Sequence, residues 1–294
     1  DGDVAGRLRQ IGAGGPWPAG ARRPTTHGSI PQVATTYAYK TEGYAIANGF
    51  NVGLCESTCA AIFDVAAGWG ARGNLTIVDL GQIALERATS AYSAVQIMGS
   101  LAVAHGYRDA GESLLVVDPA DAFIFHVLPD PTNASAIWVA QRITDDAVAV
   151  VANAFTIGAV GFPLSTRRGD GLDFLGSENL VAVAEARGLY DPKRDHGVFD
   201  FSKIYSRGEL GPKYNTGRRM WEAYRLLAPE VEMSPTYEHF LHAYPASLQV
   251  APGSVEIEDV FSVMRSYYQG TPYDLSKFGL DEPSDYPVAA GSAG

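Results

Sequence analysis

Cysteine is scarce: Cys55 and Cys59 are the only two in 294 residues, too few for a fold stapled by disulfides. In an oxidising compartment the two can pair locally; otherwise they are two buried free thiols. Positive charge is also short. With 22 Lys and Arg against 33 Asp and Glu, a net charge of −11 and a pI near 5.0, the overall field opposes a phosphate backbone, so nucleic acid is excluded as the expected partner. No apolar run approaches the roughly 20 residues that span a bilayer, so no membrane span is expected. The first residue is Asp1 rather than Met, and the Gly-rich start lacks a charged-then-apolar leader, which points to processing of something upstream. Also missing are a Gly-x-Ser-x-Gly elbow, a phosphate-cradling loop, a Gly-x-Gly-x-x-Gly turn and a Cys pair at zinc spacing.

What is present is enough apolar material, 46% of residues with 11% aromatic, for a substantial core. Residues 1–32, with GAGGPWPAG and ARRPTTHGS, show no hydrophobic period and read as an irregular arm. One domain follows over 33–280, and residues 281–294 form a flexible tail. From Thr36 to Glu56, alternation around Asn48-Gly49 predicts two strands joined there. Helical spacing runs from an N-cap at Asp79 to Gly106, with Ser90 a point where it breaks in two. Two hairpin units come next, one turning at 118–121 and one at 144–146. Their strands are apolar at nearly every position, so both faces of an antiparallel sheet need cover. Helices after Ser177, from Thr216 and from Glu256 to Gln269 supply it.

Side chains alone identify no catalytic constellation. His239 and His242 stand at i and i+3 without a third ligand nearby, and His126 lies inside an apolar strand, the place of an interior histidine. Cys59 has no local base and an acid, Glu56, three residues away, conditions that disfavour a thiolate. Asn74-Leu75-Thr76 and Asn133-Ala134-Ser135 are N-glycosylation acceptor patterns beside turn signals, which expects Asn74 or Asn133 in an exposed loop of a secreted or lysosomal protein.

Separated strings carry more. PQVATTYAY, GLCESTC, DLGQIALERATSAYSAVQIMGSLAVAHGY, GESLLVVDPADAFIFHVLP through VVANAFTI, ENLVAVAEARGLYDP, FDFSKIYS, KYNTGRRMWEAYRLLAP and YYQGTPYDLS, in this order from residue 31 to 277, resemble the dipeptidase/secernin family. The resemblance implies an α+β fold, a four-layer αββα sandwich of two antiparallel sheets between helical layers. It also implies an N-terminal-nucleophile cysteine hydrolase, in which one residue supplies both thiol and α-amino base, so no catalytic His is needed. The family's Cys-bearing strands should precede Pro31 and further strands should follow the TPYDLS string. The reading therefore expects a companion chain carrying the N-terminal Cys, a possible C-terminal companion, and an oligomer, with no cofactor and no metal.

Within that architecture the expected site residues follow, Asn153 and Asn48 from the resemblance and the others from their chemistry. Asn153, in VANAF at an expected strand end, is an oxyanion donor, with a buried structural Asn as the alternative. Asn48 is a second donor by resemblance to the wider superfamily, although Asn-Gly is first a turn signal. One of Arg218 and Arg219 binds a substrate carboxylate or lowers a thiol pKa, unless it pairs with Glu222 or Asp200. Glu56 and Ser57 line the same pocket, Glu56 holding a substrate amino group. The implied function is a dipeptidase-like amide hydrolase acting on small peptides or related amides. The other reading is a nucleophile-less structural or binding glycoprotein on the same scaffold.

Overall fold

Alternation along residues 111–143 decides how the sheet is covered, because successive side chains of a strand point to opposite faces. A computed structural model describes residues 8–11, 28–70, 72–132, 134–237 and 244–277. In chain order the elements are β1 (Leu8–Ile11), β2 (Gly28–Pro31), β3 (Tyr39–Glu42), β4 (Tyr44–Asn48), β5 (Gly53–Cys59), α1 (Ile77–Arg87), α2 (Ala91–His105), β6 (Gly111–Val117), β7 (Ala122–Pro129) and β8 (Ala136–Ile143). Then come β9 (Ala147–Val148), β10 (Phe174–Gly176), α3 (Leu180–Ala186), α4 (Phe201–Tyr205), α5 (Asn215–Leu227), β11 (Leu248–Gln249) and α6 (Ile257–Met264). Seven strands form one antiparallel sheet in the order β10-β8-β7-β6-β5-β4-β3. This is the α+β class expected. Among the described residues the rest of the strand structure is two small pairs, β1-β2 and β9-β11.

Leu54, Leu114, Val116, Phe125 and Trp138 point to one face and pack under α1 and α2. Cys59, Ile124, Leu128, Ile137 and Val139 point to the other, where they meet Phe155, Leu180 of α3 and Phe201 of α4. A third cluster, Ala152, Ala154, Met220 and Tyr224, lies against α5. Helix α2 approaches the sheet closely: a Cβ at Gly99 would stand 2.2 Å from Trp138 Cε2.

The break expected at Ser90 is real. Ser90 caps α2 through a capping box with Ser93, and α1 is capped by Thr76, with Asp79 inside the first turn returning the bond. The hairpin at 118–121 forms β6-β7, with Asp118 Oδ1 accepting from the Ala120 and Asp121 amides.

Three expectations need correction. The 144–146 turn does not make a hairpin: β8 pairs with β7 and β10, while β9 turns away to pair with β11. The arm is not irregular throughout, since β1 and β2 pair and bury Ile11 and Ile30 against α1, and Arg9 bonds Glu86 at 3.0 Å. Helix α6 ends at Met264 rather than Gln269. The expected tail at 281–294, Asn133, His239 and His242 lie outside the described residues.

Candidate active site

After β8 the chain leaves the seven-stranded sheet and, past β9, bends at Asn153, whose φ of 60° is the left-handed region that Asn tolerates better than most side chains. It is thus not a strand terminus. The bend carries Asn153 over the end of β5: its amide N–H donates to Ser57 Oγ at 2.8 Å and its Nδ2 donates to the Thr58 carbonyl at 2.7 Å. From α5, Arg219 Nη2 donates to Asn153 Oδ1 at 2.8 Å and to the Ala152 carbonyl at 3.1 Å, while its Nε donates to the Asn215 carbonyl. Because an arginine can only donate, this contact fixes which end of the Asn153 amide is oxygen. One of the two Nδ2 hydrogens then has no acceptor among the described residues.

The two expected arginines separate. Arg219 is 7% exposed and has no carboxylate within ion-pair distance among the described residues; burial lowers its pKa, with Tyr268 and Glu209 acting the other way. Arg218 turns elsewhere, its guanidinium 4.0 Å from the centre of the Tyr273 ring and 5.2 Å from that of Tyr214. Neither takes the surface partners considered for them, since Glu222 pairs with Arg225 and Asp200 with Lys203. Structure therefore brings Asn153, Ser57 and Arg219 together and leaves Arg218 in an aromatic slot.

Asn48 is fully engaged. Its Nδ2 donates to the Leu85 and Ala88 carbonyls at the end of α1, and its Oδ1 accepts from the Phe50 and Val52 amides. With both N–H bonds taken it has no donor left for an oxyanion, so it is corrected to a structural residue that joins the turn to α1. Glu56 is corrected too. Ser57 faces Asn153, and strand alternation sends Glu56 to the opposite face, beside Glu112 and Tyr44.

On that face Glu112, 3% exposed, is a residue that the sequence reading missed. Burial, then Glu56, push its carboxyl far above the ordinary carboxylate range, with Asp109 adding to the effect. Only the β5-β6 register reveals it: Glu112 stands opposite Thr58, which shares a face with Glu56.

The thiols are poor nucleophiles where they stand. Cys59 is buried and its pKa is raised well above the ordinary value by burial, then by Glu112 and Glu56; Cys55 reaches the surface, yet the partial enclosure of its thiol, then Glu56, raises its pKa. Four strand residues span about 13 Å, beyond the ~7 Å between Cα atoms that a disulfide bridges, and both are free. His126, wholly buried against Phe155 and Phe201, accepts the Thr156 and Ile157 amides at Nε2, and burial lowers its pKa to about 3. It braces the backbone just after Asn153 rather than serving as a base. Asn74 is half-buried and its pattern is part of a helix start, with Leu75 buried and the Thr76 hydroxyl bonded to Asp79, so the exposed loop expected there is absent. A cavity of about 760 Å³ lies between α2 and α3, lined by Gln96, Asp130, Trp138 and Asn179, and contains none of the expected residues. No group of three or more metal-binding side chains occurs among the described residues.

What the Asn153 cluster offers is one oriented amide donor backed by a buried cation, an arrangement suited to negative charge. The sequence matches the profile of peptidase family C69 over residues 23–286. It is 26% identical over 258 residues to a probable dipeptidase of Salmonella dublin, covering 83% of this chain and 55% of that protein. A probable dipeptidase of Latilactobacillus sakei is 26% identical over 194 residues, 66% of this chain and 37% of its own length. A dipeptidase of Bifidobacterium longum is 30% identical over 141 residues, 47% and 26% of the respective chains. The chain spans about half, or less, of the length of these curated relatives. With the profile covering most of its length, the chain belongs to peptidase family C69.

Proposed function

We propose that this chain is the oxyanion-binding part of a cysteine-type amide hydrolase acting on small peptides, with the nucleophilic Cys supplied by a separate processed chain. The observation that carries the reading is the Asn153 amide, oriented by Arg219 and left with one N–H to donate. Membership of the family and the dipeptidase names of its relatives supply the reaction class. The thiol adds to the substrate carbonyl, with its proton passing to the α-amino group of the same Cys. The carbonyl oxygen takes up the negative charge, and the free Asn153 N–H donates to it. Arg219 stabilises the same charge through the amide it holds and through its own field, which burial strengthens. Collapse breaks the C–N bond, the amine leaves with the proton, and water releases the acid from the thioester.

Of the substrate-binding expectations, Ser57 and Arg219 stay at this site. The Arg219 Nη1 group has no acceptor among the described residues, so it is the donor assigned to a substrate carboxylate.

Native material treated with a thiol-directed activity probe tests the reading. The expected result is covalent labelling of an associated chain at an N-terminal Cys, found by intact mass. Labelling confined to Cys55, or full peptidase activity from a preparation holding this chain alone, rejects it.

A further inference from the structure

Helix α6 carries its apolar side chains on the wrong face for burial. Ile257, Val260, Phe261 and Met264 are 56, 41, 46 and 61% exposed. At 100° per residue these four fall within one stripe about 100° wide. Asp259 and Val263 lie on the opposite side of the helix and are half-buried, and Ser266, just past the C-terminal end of α6, bonds Glu222 of α5. So α6 meets α5 by the side of Asp259 and Val263 and presents the stripe of Ile257, Val260, Phe261 and Met264 outward. A contiguous stripe of this kind marks an interaction surface.

The charges beside the stripe say what fits it. Glu258 and Arg265 flank it on the same side, one near each end of the helix, and neither has an ion-pair partner among the described residues. Arg265 only lies over the Phe261 ring, at 5.4 Å. A two-fold axis that sets two copies of α6 antiparallel keeps each flank on its own side and reverses its direction. Glu258 of each copy then meets Arg265 of the other. The same operation places Ile257 against Met264 and brings Val260 and Phe261 near the axis. A parallel pair lacks this match, because its axis puts opposite flanks together. We propose that α6 is a self-complementary dimer surface whose partner is a second copy of this chain, docked antiparallel through Ile257, Val260, Phe261 and Met264 with two Glu258–Arg265 pairs at the rim.

One short helix is well below the surface of a standard stable interface, so the dimer is a weak, reversible one. Sedimentation velocity of the natively purified protein, from about 1 to about 500 µM, tests it. The expected mass rises with concentration from one assembly to two. Met264→Glu, Glu258→Arg and Arg265→Glu should each weaken association at least tenfold, and the double exchange Glu258→Arg with Arg265→Glu should recover most of it. These side chains are exposed, so circular dichroism should show every variant folded. A constant single mass overturns the proposal, as does an unaffected Met264→Glu protein. A double exchange no better than the single ones overturns it too. Another polypeptide seated on the stripe would give a mixed complex insensitive to the exchange, which also overturns it.

Discussion

Two asparagines of the same chain are sorted by their hydrogen-bond inventories. Both sit in apolar surroundings, where an amide must be satisfied on several sides. Asn48 has all of its capacity engaged, and Asn153 retains one donor. With the complete complex acting on a dipeptide, Asn153→Ala should therefore lower kcat on the order of a hundredfold, about 3 kcal/mol of transition-state stabilisation. Arg219→Lys should lower it by a smaller factor, since a lysine keeps the charge but lacks the Nε donor to Asn215 that anchors the planar group beside Ala152 and Asn153. Unchanged turnover in folded Asn153→Ala protein removes the oxyanion assignment. Glu112 yields a prediction of the opposite kind, on stability rather than rate. Its folded carboxyl holds its proton well above the ordinary carboxylate range, whereas an unfolded Glu loses it near ~4.3. Above that unfolded value the folded state binds more protons than the unfolded state, so stability declines as pH rises. Glu112→Gln cannot ionise and should remove that slope. Urea melts at about pH 5 and about pH 8 should show the wild type losing upwards of ~1 kcal/mol more than the variant, and equal losses would contradict the assignment.

At the scale of elements, the joints matter more than the elements themselves. Asn48 ties the β4-β5 turn to the last carbonyls of α1, which have no partner within the helix. Asn48→Ala should lower unfolding free energy by about 1–3 kcal/mol, because it leaves those carbonyls and the Phe50 and Val52 amides unpaired. Activity per folded molecule should stay near that of the wild type, and calorimetry beside a peptidase assay checks both. The break between α1 and α2 was readable in advance, since Ser90 and Ser93 spell a cap in the sequence. The fate of residues 147–153 was not. An apolar run looks the same whether it becomes a buried strand or a buried irregular segment. Here β10, distant in sequence, takes the edge of β8 that the hairpin reading had given to β9. Asn153 consequently enters the site on a left-handed bend instead of a strand end.

For the molecule as a whole, one sheet with two unlike faces is the organising fact. Helices α1 and α2 cover one face; the other receives the Asn153 bend, α3 and α4, with α5 beyond them. Alternation and capping residues, as local patterns, determined the mixed class of fold and most of the strands and helices, and an ordered set of strings carried the resemblance to the family. The choice among chemically equivalent candidates was decided only in three dimensions. Arg218 and Arg219 are neighbours in sequence, yet about 100° of helix separates them, enough to send one to Tyr273 and the other to Asn153. Glu56 and Ser57 are also neighbours, and the pleat of β5 places them on opposite sides of the sheet. The sequence alone names which residues can do the chemistry, and long-range packing determines which of them meet, because contacts between β5, the bend and α5 join segments far apart along the chain.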